Sequence, residues 1–199
     1  MASISKVKIG NLALSHIGAK ATIESFSEDS AEAQNIDLWY DFARESVLQA
    51  FDWSFARKKD ALASHSVDPD TTEWSYRYQY PADCIAARYI LNPLGKDADA
   101  VPFEMREAGD GTKSILTDQE SAKLVYTQNI ETTSLFTPNF VMTLSYYLAS
   151  LISFSLTGKL TLKEAMENQY MKWLFISSGN NGNEEVSQDE RDAVWIRAR

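Results

Sequence analysis

The residues able to do acid–base or nucleophilic chemistry are few and scattered. Two histidines, His16 and His65, stand in different segments, with no spacing that suits a metal ion. His16 falls near the end of a predicted helix, where the helix dipole or simple exposure accounts for it. His65 sits in a polar loop. The single cysteine, Cys84, follows Asp83 at the start of a predicted strand and has no histidine beside it in sequence. It reads as a small buried apolar residue rather than a thiolate nucleophile. The GxSxG, GxxxxGK[ST], HExxH and GxGxxG patterns do not occur. Glu28-Asp29 and Glu184-Glu185 pair carboxylates in sequence, but such a pair hydrolyses a glycoside only at a defined separation across a cleft. Among 28 acidic residues, neighbours of this kind arise by chance. No catalytic residue, cofactor site or metal site is expected.

Two groups of residues suit binding better than catalysis. Trp74, Tyr76, Tyr78 and Tyr80 alternate with Ser75, Arg77 and Gln79, and Trp53 and Phe55 precede them. Aromatic side chains on a sheet can stack bases, but that use requires interleaved cations, and Arg77 stands almost alone. A sheet face packed on helices, or an interface between subunits, is the stronger reading. The second group is at the C-terminus, where Val194-Trp195-Ile196-Arg197-Ala198-Arg199 follows a glycine- and asparagine-rich stretch and a run of charge. A Trp-Ile pair with two arginines has nothing of its own to bury against there. It either docks back or orders on a partner. Trp195, Ile196, Arg197 and Arg199 are therefore the candidate partner-binding residues.

The elements that must position these groups divide by periodicity. A chain of 199 residues with 44% hydrophobic and 12% aromatic content can bury a core. Its net charge of −9 argues against a protein whose main task is gripping nucleic acid. One cysteine suits a reducing cytosol, and no apolar leader is read at the N-terminus. Helices are expected over about 4–18, 30–51, 138–157 and 162–178, and a β element over about 73–129. In the second helix Ile36, Tyr40, Ala43, Val47 and Ala50 make the apolar stripe, broadened by Trp39, Phe42 and Phe51. Gly109-Asp110-Gly111 is placed as a hairpin turn. Thr137-Pro138 reads as an N-cap with proline at the first helical position, and Thr161 to Glu164 as a capping box. Thr132 to Gly158 contains no charged residue. Its many polar groups favour a helix buried in a bundle or between subunits over a membrane span. Gly179 to Asn183 is expected to end the helical pattern. The fold class expected is α+β, mainly α: a helical bundle with a small antiparallel β-meander, residues 1–182, and an extended C-terminal arm, residues 183–199.

Several segments carry a resemblance. Asp29-Ser30-Ala31-Glu32-Ala33, Trp39-Tyr40-Asp41-Phe42-Ala43-Arg44, Trp53-Ser54-Phe55-Ala56-Arg57-Lys58 and the stretch from Trp74 to Cys84 come in that order. Ile115-Leu116-Thr117-Asp118, Leu124-Val125-Tyr126 and Phe136-Thr137-Pro138-Asn139-Phe140 follow them. Together they resemble the head-to-tail adaptors of short-tailed phages, the tail tubular protein A group, related to tail accessory factors. Phe51-Asp52 stands before Trp53 where that family often has a proline, and Tyr80 where a leucine commonly precedes the proline. The resemblance implies a structural protein of the virion neck, present in the host cytoplasm before assembly. It implies a twelvefold ring of copies between the portal protein and the tail nozzle protein. DNA would pass through a central channel without specific binding, the C-terminal arm would reach the portal with Trp195 as anchor, and no membrane is involved. One branch of related accessory factors is associated with cell-wall hydrolysis, so the alternative is a tail accessory protein with peptidoglycan hydrolase activity. Nothing in the sequence selects the carboxylates this would need. A nucleic-acid-binding module, the third possibility, would show strongly salt-dependent affinity for DNA.

Overall fold

A computed structural model describes residues 4–67, 73–94 and 100–184, with side chains to 179. The architecture is α+β and mainly α. Helices α1 (Lys6–His16), α2 (Ala31–Ala50), α3 (Pro138–Thr157) and α4 (Leu160–Glu184) form the bundle. Between α2 and α3 the chain makes β1 (Arg57–Ala61), β2 (Tyr76–Gln79), β3 (Cys84–Ile90), β4 (Glu104–Glu107), β5 (Lys113–Thr117) and β6 (Lys123–Gln128). The C-terminal arm and its four candidate residues, Trp195, Ile196, Arg197 and Arg199, lie outside the described residues.

The helix starts follow local chemistry. Ser5, Ser30 and Thr137 are extended residues whose hydroxyls accept from Lys8, Ala33 and Phe140 N–H, so three helices open on side-chain caps. Pro138 takes the first turn of α3 as expected. At Gly10 a Cβ would lie 3.1 Å from Cγ2 of Ile36, so glycine there lets α1 and α2 approach closely. The stripe expected on α2 is partly right. Ile36, Tyr40, Ala43 and Val47 are buried, but Ala50 and Phe42 are exposed. Phe42 lies well round the helix from the stripe, and at 3.6 residues per turn it cannot broaden it.

Helix α3 is the hub, packed against α1, α2 and α4. Ten of its 20 residues are buried, among them Thr143, Ser145, Ser150 and Ser153. Each of those hydroxyls donates to a carbonyl three or four residues back: Asn139, Met142, Tyr147 and Ser150. The polar groups are thereby satisfied inside the helix itself, which permits their burial on several sides. Of the described helices α3 alone is long and apolar enough to cross a bilayer, and its apolar surface is taken up largely within the bundle.

Two features of α4 differ from expectation. Thr161 does not cap it: the reversal at left-handed Gly158 is so short that the helix is under way at Leu160, which leaves Thr161 inside the first turn. Nor do Gly179 to Asn183 end it, for the helix continues to Glu184. The hydroxyl of Ser177 donates to the Trp173 carbonyl and lies buried 3.4 Å from Thr143 of α3. Packing of this turn on α3 overrides the poor propensity that follows. The boundary drawn at 182–183 therefore falls within α4.

The β element is wholly antiparallel, but it is more than one meander. Its strands form two three-stranded sheets, β1-β6-β3 and β2-β5-β4. Isolated bridges join the sheets at both margins, Ile90 to Val101 and Ser64 to Tyr78. Followed through these bridges, the six strands make a closed circuit around a second core of Leu62, Tyr78, Ile90, Ile115, Leu124 and Tyr126. Closure leaves no long unpaired edge. The hairpin at Gly109 to Gly111 joins β4 to β5, with both glycines at positive φ and both N–H groups donating to the Glu107 carboxylate.

Two arginines fasten the barrel to the bundle. Helix α2 has no basic residue in its last turn. Arg88 of β3 fills that role, donating to the carbonyls of Leu48, Gln49 and Phe51 at 3.3, 3.1 and 2.7 Å and to Thr127 Oγ1 at 2.8 Å. In the opposite direction Arg44 of α2, 1% exposed, reaches Asn129 Oδ1 and the Ile130 carbonyl just after β6. Arg88→Ala leaves helix-terminal carbonyls without donors and should cost about 2–3 kcal/mol in denaturant unfolding. Arg88→Lys should recover little, because an ammonium cannot span the same fork.

Candidate interaction surface

The titratable residues singled out by the sequence are tied into the scaffold and lie apart from one another. His16 stacks on Tyr146 with ring centroids 3.9 Å apart, and its Nε2 lies 3.0 Å from Ser145 Oγ. Tyr146 in turn stacks on Trp173 at 6.5 Å, so a ladder of three rings links α1, α3 and α4. His16 is the last residue of α1, the helix-end position expected, but its ring is packed rather than exposed. Burial pushes its pKa below the ordinary 6.5. His65 accepts from the Val67 N–H through Nδ1, and its Nε2 contacts Thr112 Oγ1 at 3.0 Å, which pins the β1–β2 crossing to the β4–β5 hairpin. Burial pushes the Cys84 thiol up, the reverse of what a nucleophile needs.

The paired carboxylates do not form a cleft. Glu28 accepts from the N–H groups of Glu24 and Ser25, and Asp29 accepts from Gln34 Nε2. Glu184 is the last residue of α4, and its neighbour Glu185 lies outside the described residues. Among the described residues Asp83 is the most connected acid, accepting from Lys58 Nζ at 3.0 Å, Tyr126 Oη at 2.9 Å and Gln128 Nε2 at 2.9 Å. Partial burial pushes Asp83 up, but the Lys58 ammonium and the Tyr126 hydroxyl outweigh it and hold the acid below its ordinary range. These contacts clamp β1 and β6 to the start of β3. No group of three or more His, Cys, Asp or Glu suited to a metal ion occurs among the described residues.

The aromatic stripe is core. Tyr78 is buried, Tyr76 stacks near it at 6.3 Å, and Tyr80 packs against the same cluster. The stripe faces the opposite wall of the barrel rather than helices, and Trp74 donates its indole N–H to Glu104. Trp53 and Phe55 likewise pack on Phe140 of α3 at 5.0 Å each. None of these rings forms a platform for bases.

Two surface depressions among the described residues bear on binding. A cleft of about 590 Å³ between bundle and barrel includes Arg88, Arg106 and Lys113. Arg88 is engaged by carbonyls, Arg106 by Glu73 and Glu104, and Lys113 sits over the Tyr80 ring. The second, also about 590 Å³, is an apolar groove floored by Leu151, Phe154 and Ser155 of α3 and walled by Leu38 and Trp39 of α2 and Leu160 and Lys163 of α4. Leu38 is 70% exposed, and Phe42, Phe154 and Leu160 beside it are also exposed. Farther along α4, Met171 and Phe175 point outward, Phe175 at 79% exposure. Large apolar groups clustered at a groove mark an interaction surface. The signal was present in the sequence: a helical wheel puts Leu38 and Phe42 well away from the core stripe of α2.

The chain matches no protein-family model and no curated protein.

The position of His16 predicts a pH effect. Its folded pKa is depressed, so the unfolded chain takes up the proton first, and stability is full above about pH 6.5 and declines as pH falls below it. The melting temperature of the wild type should drop between about pH 7.5 and about pH 5.5, and that of His16→Phe should drop less. Equal drops in the two proteins would remove His16 as the cause.

Proposed function

We propose that this chain is a non-catalytic structural subunit, a head-to-tail adaptor that joins a phage portal to the tail nozzle as a ring of copies around the path of the DNA. The observation that carries this reading is the apolar surface on α2, α3 and α4, where Leu38, Phe42, Phe154, Leu160, Met171 and Phe175 stand exposed on a well-packed bundle. Exposed apolar area on this scale favours a protein that works by being covered.

The segments resembling the adaptor family support the reading by what they do. Ser30 caps α2, Arg44 and Trp53 secure the junction, Tyr78, Ile115 and Tyr126 fill the barrel, and Thr137 caps α3. The shared pattern is thus a pattern of fold-bearing residues, as suits a family whose function is its shape. The net charge of −9 suits a wall past which DNA moves without sticking. The arm would bind the portal through Trp195 and Ile196, with Arg197 and Arg199 meeting acidic groups there.

Removing residues 185–199 spares every described element. The truncated protein should melt as the wild type does yet fail to co-sediment with portal rings, and Trp195→Ala should weaken that binding by at least about 2 kcal/mol. Retained binding would contradict the anchor. Incubated with a peptidoglycan suspension, the purified protein should leave turbidity unchanged; clearing would overturn the non-catalytic reading in favour of a hydrolase.

A further inference from the structure

The apolar groove adjoins an acidic stretch of α2, and the outward ridge of α4 carries an exposed lysine. The groove lies over the C-terminal half of α3, between α2 and the first turn of α4, which make little direct contact with each other. It is concave and apolar at its floor. Asp37 and Asp41 stand one turn apart on the exposed face of α2, with Asp41 three residues from Leu38 at the groove. Asp37 has no partner among the described residues, and Asp41 is ion-paired with Arg44 at the weak distance of 3.4 Å.

The ridge is convex. Met171 and Phe175 stand one turn apart on α4, 60% and 79% exposed, with Lys172 exposed between them. Lys172 has no carboxylate partner among the described residues, whereas Lys163 at the groove pairs with Glu167. At 1.5 Å per residue, Met171 is about 16 Å and Phe175 about 22 Å along α4 from Leu160 at the groove mouth, so the ridge cannot fill the groove of its own chain.

We propose that the α2–α3–α4 groove receives the Met171/Phe175 ridge of a second copy of this chain, with Lys172 of that copy set against Asp37 and Asp41. The ring reading given above makes the contact head-to-tail. Each copy uses its groove on one side and its ridge on the other, and the contact repeats until it closes. That closure rests on the ring reading given above; the pairing of groove with ridge does not. Apolar side chains at the centre with charge at the rim match the anatomy of a subunit interface.

The test uses two full-length variants that each spoil one half of the contact at an exposed position: Leu38→Glu in the groove and Phe175→Glu on the ridge. Sedimentation velocity should show concentration-dependent association of the wild type. In each variant alone the dissociation constant should rise by at least about tenfold, the scale set by one buried Leu or Phe, with the melting temperature unchanged. Mixed in equal amounts, the two variants should form a one-to-one dimer and nothing larger, because the intact ridge of L38E fits the intact groove of F175E. A wild type that stays monomeric, variants that associate as the wild type does, or a mixture that remains monomeric would each overturn the proposal. Wild-type rings that ignore both substitutions would do so while leaving the adaptor reading intact. Pairing as expected, without any binding to portal rings, would sink the adaptor reading and leave this contact standing.

Discussion

The structure depends on how the C-terminus of α2 is terminated. A helix end presents carbonyls with no partner, and α2 runs into the barrel without a lysine, arginine or histidine in its own last turn. Arg88, far along the chain on β3, delivers its guanidinium to three of those carbonyls. Arg44, buried one and a half turns earlier in α2, reaches back to the chain leaving β6. The two contacts run in opposite directions across one junction, so neither core can shift without leaving buried polar groups unpaired.

Helix α3 completes the frame. An uncharged helix with buried hydroxyls is costly unless those hydroxyls are satisfied, and here each bonds to its own helix. α3 can therefore pack against three helices at once. Its floor position between α2 and α4 leaves Phe154 at the surface, and the groove follows from that placement. The same arrangement that buries half of α3 leaves Phe154 exposed.

Much of this was readable beforehand. The cap at Thr137, the start of α2 near residue 30, the glycine hairpin at 109–111 and the alternating tyrosines announce themselves through local chemistry and period. β1 did not, because Arg57, Lys58 and Lys59 give it no apolar alternation; it forms by pairing with β6. The closed circuit of strands was equally hidden, since it rests on two single bridges between distant residues. α4 ran past its expected end because Ser177 packs against Thr143, a contact local propensity does not report. On the candidate surface, Phe42 was assigned to the core by its type when its place on the helix puts it outside. The packing of His16 is not legible locally, because its partner, Tyr146, is remote in sequence.

The exposed faces of α2, α3 and α4 carry large apolar side chains. The adaptor reading turns on whether that surface and the arm together build a collar on a portal. Electron microscopy of portal rings mixed with the full-length chain tests this most directly. The account predicts a continuous collar of copies coaxial with the portal, with α2 of one copy facing α4 of the next at every seam. Bare portal rings, or copies scattered on the portal without contact between neighbours, would contradict it.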